Sequence, residues 1–176
     1  MIYMDNAAST MPSKKVIECL EDNIEVYGNP SSLHTEGERA HRLIMNTTET
    51  ISKIFNCDKD EIYYTSGATM SNNLFIQGFL RAHPDTKLVI SSIEHNDIIE
   101  LADYIDRTKG YKFIYRITVN QEGFLNINCL SNLLDELDGD CVLCCIQGAN
   151  GECGTIQDIQ TISKIVHSHE NMYLFS

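Results

Sequence analysis

Apolar residues along this chain recur with two different periods. In residues 13–27, Val16, Ile17, Leu20, Ile24 and Tyr27 fall on one stripe at the spacing of an amphipathic helix. Ala40, Leu43, Ile44, Thr47, Ile51 and Ile54 do the same within residues 33–55, and "GNPSS" at 28–32 is the turn between the two helices. Beyond these, short apolar and β-branched runs begin near Glu61, Lys87, Lys112, Asp140 and Met172, each separated from the next by a helix-sized stretch. Ile98, Leu101, Ala102 and Ile105 mark one such helix over 97–109, with Gly110 as its stop, and residues 130–137 and 159–166 supply two more. The alternation predicts βαβ units, hence an α/β fold of three layers: a mostly parallel sheet with helices on both faces. Residues 1–60 are expected to form a helical segment and residues 61–176 the sheet-bearing portion, its first strand at 62–65.

In a parallel sheet with right-handed crossovers, the C-terminal ends of all strands lie along one edge, where open α/β sheets bind ligands. Three loops are expected there: "SGATMSNN" after the first strand, "IEHND" after the second and "QGANGECG" after the fourth. The first is a turn of small residues running into amides that can open a helix. Such a turn lets backbone N–H groups approach an anion such as phosphate, and a helix N-terminus adds a favourable dipole. Equally, Ser66 or Thr69 suits the role of helix cap. His95 in the second loop is either a solvated or capping residue or a proton-transfer group. Asn150 and Gly151 in the third are a turn signal that also leaves room for a binding loop.

Charge and composition narrow the function classes. With 13 Lys and Arg against 25 Asp and Glu, the formal net charge of −12 disfavours a nucleic-acid partner. Glu18, Asp22 and Glu25 recur at helical spacing as a solvated face opposite the first apolar stripe. No run is long and apolar enough for a membrane span, and the first residues lack the basic start of a secretory signal, so a cytoplasmic location away from the membrane is expected. Seven cysteines then read as buried or reactive thiols rather than a disulfide framework. Cys141, Cys144 and Cys145 lie in what reads as a buried strand, where side chains three apart face opposite ways, so no metal is expected there. On a helix His167 and His169 lie about 200° apart and do not share a face.

Five motifs, "YMDNAAST", "GNPSSLHTEG", "YTSGATMSNN", "IEHND" and "GANGECGTIQDI", stand in the order found in cysteine desulfurases of the NifS type, and the chain resembles that family over essentially its whole length. The family is a class-V branch of the aminotransferase-like enzymes that use pyridoxal 5′-phosphate (PLP). The resemblance implies that Ala68 and Thr69 hold the cofactor's phosphate and that His95 stacks over its ring and transfers protons. It further implies that Asn6, Ala7, His34 and Asn150 approach the substrate. The implied reaction takes sulfur from L-cysteine, leaving alanine and an enzyme persulfide, in the service of iron–sulfur cluster assembly. A homodimer or a complementing C-terminal chain, and a sulfur-acceptor protein, are the implied partners.

Departures from the family pattern are equally specific. Gly151 stands where a second Asn is usual, and Met70 where Glu is common. Ser176 aligns with the Asp that keeps the cofactor's pyridinium nitrogen protonated. The lysine that anchors PLP and the loop with the nucleophilic cysteine would both follow residue 176; Lys87, Lys112 and Lys164 lie on expected strands or helices instead. Two strands that separate the first strand from the fourth in the family also come later, so an isolated chain is expected to expose a central strand edge. The resemblance therefore implies the N-terminal, PLP-binding portion of a desulfurase, inactive by itself. The alternative is a non-catalytic relative that acts by pairing with a desulfurase subunit.

Overall fold

A computed structural model describes residues 2–109 and 113–176. It divides into two compact units between Tyr64 and Thr65, each described by itself.

In the first unit, helix α1 (Lys14–Asn23) starts at Ser13, whose hydroxyl accepts the Val16 N–H. It ends before the expected Tyr27 because the Ile24 N–H turns back to the Glu21 carbonyl and the Val26 N–H to that of Asn23. None of its residues is buried, and Val16, Leu20, Ile24 and Tyr27 of the apolar stripe are all exposed. Helix α2 (Thr35–Phe55) is capped by His34, whose Nδ1 accepts the Gly37 N–H at 3.2 Å, and stops at Asn56 in the left-handed region (φ 51°). Glu36 and Glu38 in its first turn and Lys53 in its last complement the helix dipole. The 28–32 turn lies against the start of α2 with no room for side chains: a β-carbon on Gly28 would sit 2.2 Å from the Glu36 carbonyl oxygen. Glu49 receives Lys53 and Lys59 at 2.8 and 3.0 Å, and these hydrogen bonds hold its carboxyl down to about 2.

The strand expected at 62–65 does not form. A 3-10 turn (Lys59–Glu61) precedes it and Ile62 is extended (φ −102°, ψ 119°), but no described strand pairs with this segment. Extended backbone becomes a strand only when a neighbour takes up its N–H and C=O groups. The Tyr64 hydroxyl instead meets Thr48 Oγ1 of α2 at 2.8 Å.

The second unit is a four-stranded parallel sheet in the order β2-β1-β3-β4, with β1 at Lys87–Ser91, β2 at Ile114–Ile117, β3 at Val142–Cys145 and β4 at Met172–Phe175. Gly110 and Lys112, expected to stop a helix and start β2, lie outside the described residues. Leu88 pairs with Leu143 and Val142 with Met172, which fixes the register. Alternate residues then feed two cores. Leu88, Ile90, Leu143 and Cys145 pack under α3 (Ala68–Ala82) and α4 (Asn96–Lys109), against Ile76, Leu80, Ile98, Leu101 and Ile105. Val89, Val142, Cys144 and Met172 pack under α5 (Ile127–Glu136) and α6 (Ile159–Val166), against Leu130, Leu134, Ile162 and Val166. Each fully buried Leu, Ile or Val contributes about 1.5–3 kcal/mol. Helix α5 starts at Ile127, ahead of the expected Leu130, because the Asn126 side chain caps it through the Cys129 N–H at 3.0 Å. Phe75 of α3 stacks on Phe175 of β4 with ring centroids 4.6 Å apart.

The strand order determines where a ligand can enter. From β1 the chain crosses through α4 to β2 on one side; from β3 it crosses through α6 to β4 on the other side, over the opposite face. The loops leaving β1 and β3 therefore diverge from neighbouring strands, and such a switch point opens a crevice at the C-terminal edge of the sheet.

Candidate functional site

At the switch point the two loops are hydrogen-bonded to one another. The Gln147 N–H donates to Glu94 Oε1 at 2.9 Å, and the Ile93 carbonyl accepts both Gln147 Nε2 and, at 3.0 Å, Asn150 Nδ2. Asn150 Oδ1 accepts the N–H groups of Glu152 (2.8 Å) and Cys153 (2.9 Å), while an Ala149–Ile156 bridge closes the turn. Both ends of the Asn150 amide are thus engaged within the protein, so its observed work is to build the turn and tie it to the β1 loop. Glu94 is buried, and its Oε2 has no hydrogen-bond partner among the described residues. Burial pushes its carboxyl up, against the opposing hydrogen bonds from Gln147 and Ser91.

Helix α3 runs antiparallel to β1, so its N-terminus reaches the same edge. Its cap is Gly67 at φ 157° and ψ 176°, a region open only to glycine. No side chain caps the helix: the Ser66 hydroxyl points to the Met70 sulfur at 3.3 Å, and Thr65 Oγ1 pairs with Ser71 Oγ at 2.6 Å. The capping role open to Ser66 or Thr69 is therefore not taken, and the first-turn N–H groups of exposed Ala68, Thr69 and Met70 lack a side-chain acceptor.

A bonded path runs from this helix to His95. Asn72 Nδ2 donates to Asp97 Oδ2 at 3.1 Å, and Asp97 Oδ1 meets His95 Nδ1 at 2.8 Å. His95 immediately precedes α4, and its carbonyl accepts the N–H groups of Ile98 and Ile99. Its ring is 72% exposed, whereas the Asp97 side chain is only 8% exposed. Burial works against the Asp97 charge, but the hydrogen bonds from His95 and Asn72 outweigh it and hold the carboxyl below its usual range. Ala68, Thr69 and His95 are thus brought together at the edge, with Asn150 on the neighbouring loop. Sequence reasoning missed Asn72, Asp97 and Gln147, although Asp97 was visible as a carboxylate two residues beyond the histidine.

The remaining expected residues are carried by other elements. Asn6 and Ala7 belong to the first unit, in an exposed turn closed by Ala8 and Ser9 N–H groups on the Asp5 carbonyl, and His34 is the α2 cap there. Lys87 opens β1 at the end opposite the crevice, its ammonium 4.8 Å above the Phe113 ring, and Lys164 is on α6. Ser176 directly follows β4 and lies beside Gly148, where an added β-carbon would meet its hydroxyl at 3.7 Å. Cys144 and Cys145 face opposite cores, burial pushing the first thiol up to about 12 and the second well above its ordinary value. Cys153 is exposed, and hydrogen bonds with Thr155 lower its thiol.

With this geometry in hand, comparison with known proteins is specific. The class-V aminotransferase family matches residues 2–175. A NifS/IcsS protein homolog of Lactobacillus delbrueckii subsp. bulgaricus is 36% identical, over 98% of this chain and 44% of its own length. The cysteine desulfurase IscS of Dictyoglomus turgidum is 34% identical, over 96% of this chain and 42% of its own. A NifS-like protein of known structure superposes with a TM-score of 0.87 at 29% identity, over 99% of this chain and 48% of that one. A NifS-like protein from Rickettsia africae gives 0.84 at 31%, over 98% and 46%. The chain thus spans less than half the length of these curated relatives. Its parallel sheet, its edge motifs and these matches together make it a member of the class-V aminotransferase family, homologous to the N-terminal part of the NifS/IscS cysteine desulfurases.

Proposed function

We propose that this chain is the PLP-binding N-terminal portion of a cysteine desulfurase-like protein that moves sulfur from L-cysteine, and that the isolated chain turns over no substrate. The observation that carries this is the uncapped α3 N-terminus joined through Asn72 and Asp97 to His95. The fit to PLP can be judged from the residues themselves. Free first-turn N–H groups and the Thr69 hydroxyl suit a phosphate, Gly67 lets the backbone approach it, and the exposed imidazole of His95 suits an aromatic ring face. When bound, the cofactor would supply the electron sink. The chain's own residues would hold its phosphate, cover one ring face and offer an imidazole nitrogen for proton transfer.

Completion by a further polypeptide is part of the proposal. The outer edge of β4 is unpaired among the described residues and the α1 stripe is exposed, so both suit coverage by the portion the longer relatives possess. Ser176 favours a second reading, a non-catalytic relative that pairs with a desulfurase subunit, because a hydroxyl cannot hold a proton on a pyridine nitrogen as a carboxylate does.

Titration of the chain with PLP, followed by backbone amide shifts, tests the site. The amides of residues 67–70 and the His95 ring are expected to respond, and Thr69→Ala to weaken binding by roughly tenfold, since a hydrogen bond to a charged group is worth about 1.5–3 kcal/mol. Equal binding of pyridoxal without its phosphate would refute the site. Release of alanine from L-cysteine, absent with the chain alone and restored when a polypeptide carrying the remaining portion is added, would separate the desulfurase reading from the non-catalytic one.

A further inference from the structure

Asp97 lies between the two parts of the proposed site. Its Oδ1 is 2.8 Å from His95 Nδ1 and its Oδ2 accepts Asn72 Nδ2 at 3.1 Å. Asn72 sits in the second turn of α3, so the carboxylate is fixed from one element while holding the imidazole that precedes another. An ionised carboxylate can only accept hydrogen bonds, so the ring nitrogen at 2.8 Å must carry the proton. The Asp97 N–H also approaches Nδ1, but at 3.4 Å it is the weaker contact and does not compete. A neutral imidazole with its proton on Nδ1 has its lone pair on Nε2.

We infer that Asp97 is a positioning residue that fixes His95 in the Nδ1–H tautomer, presenting Nε2 as the acceptor, and that ties this orientation to the α3 N-terminus. The use of that acceptor in catalysis rests on the function proposed above; the tautomer does not. The arrangement explains how a histidine with a ring 72% exposed can have one defined proton position. The nearly buried partner supplies the definition, and Asn72 prevents that partner from turning away. The pairing is directional as well as attractive, because the second carboxylate oxygen is already occupied and leaves Oδ1 for the ring.

The test is long-range proton–nitrogen correlation on the full chain labelled with ¹⁵N-histidine, without ligand, at mildly alkaline pH where an imidazole is neutral. Wild type is expected to show His95 with Nδ1 protonated and Nε2 bare, by at least about tenfold, equivalent to about 1.4 kcal/mol. Asp97→Ala should lose that preference and drift to the Nε2–H form favoured by free histidine. Asp97→Asn keeps the shape and can accept or donate, so it should populate both forms, and it carries the test if the alanine variant does not fold. Nε2–H in wild type, or an unchanged tautomer in both variants, overturns the inference; a merely structural Asp97 would produce the latter. Addition of PLP to the same sample distinguishes the two levels. Intact Nδ1–H with no response of His95 to PLP upholds the positioning role while the PLP site fails. A PLP response with His95 already in the Nε2–H form overturns the positioning role alone.

Discussion

Asn150→Ala probes the tie between the two edge loops more directly than any other change. The substitution removes three hydrogen bonds of ordinary length, one to the Ile93 carbonyl at 3.0 Å and two from the N–H groups of Glu152 and Cys153 at 2.8 and 2.9 Å, together with a long, weak one to Gln147 Oε1 at 3.4 Å that adds little. At a net 0.5–1.5 kcal/mol each, the ceiling is about 4.5 kcal/mol. Glu152 and Cys153 are exposed, so their amides regain water and the loss should fall near about 2 kcal/mol. Asn150→Asp keeps the two acceptor contacts and removes the amide donor to Ile93 and, at the longer distance, Gln147, so it should cost about 1 kcal/mol. Urea unfolding gives the global values, and amide exchange gives the local ones. In the alanine variant the Glu152 and Cys153 amides should exchange at least about fivefold faster, the equivalent of about 1 kcal/mol of local opening, while in the aspartate variant they should stay protected. Unchanged protection at both amides in Asn150→Ala, with a global loss below about 0.5 kcal/mol, would refute the assignment of this side chain to the turn and the tie.

Other consequences can be checked independently. His169 Nε2 meets Asp135 Oδ1 at 3.0 Å, and this hydrogen bond raises the imidazole above its ordinary value. Its contribution is therefore fully present below about pH 6.5 and lost as pH rises through the raised folded-state value; Asp135 is exposed, so the effect should be a few tenths of a kcal/mol, and Asp135→Asn should flatten it in urea midpoints measured against pH. Gly28→Ala should destabilise by about 1–3 kcal/mol or more in thermal unfolding, because the clash at 2.2 Å is with backbone and no side chain can swing aside. Alkylation read by peptide mass should label Cys153 ahead of Cys144 and Cys145, which should react only on unfolding; early labelling of either buried thiol would contradict the packing of β3.

What could be read from the sequence follows from where the information is local. Helices α2 and α6 were legible because their stripes repeat over whole turns, β1 and β3 because buried parallel strands are short apolar runs, and β4 because it too is a short apolar run although only Met172 in it is buried. The strand at 62–65 had the right composition but needed a neighbour, and composition does not reveal pairing. At the site, small residues at 66–69 and the histidine at 95 signalled themselves by type. The Asn72–Asp97–His95 path did not, because it depends on α3 and α4 lying side by side over one face of the sheet. Asn150 was read as both turn and binding residue; its amide is used on both sides by the turn and by Ile93, which only the meeting of two distant loops could reveal.

The strand order also bears on how this sheet assembles during synthesis. β2 pairs with β1, β3 pairs with β1, and β4 pairs with β3, so every strand finds its partner already made when it emerges. Leu88 meets Ile114, Lys87 meets Val142, and Val142 meets Met172, so the longest closure, β1 to β3, is only about twice the others in chain length. Doubling a loop adds only about 0.6 kcal/mol of closure entropy, so no step is set apart by its reach. A ribosome delivering this chain from its N-terminus can add the strands one at a time, and β1, one of the two strands with a neighbour on each side, is the first of them to arrive.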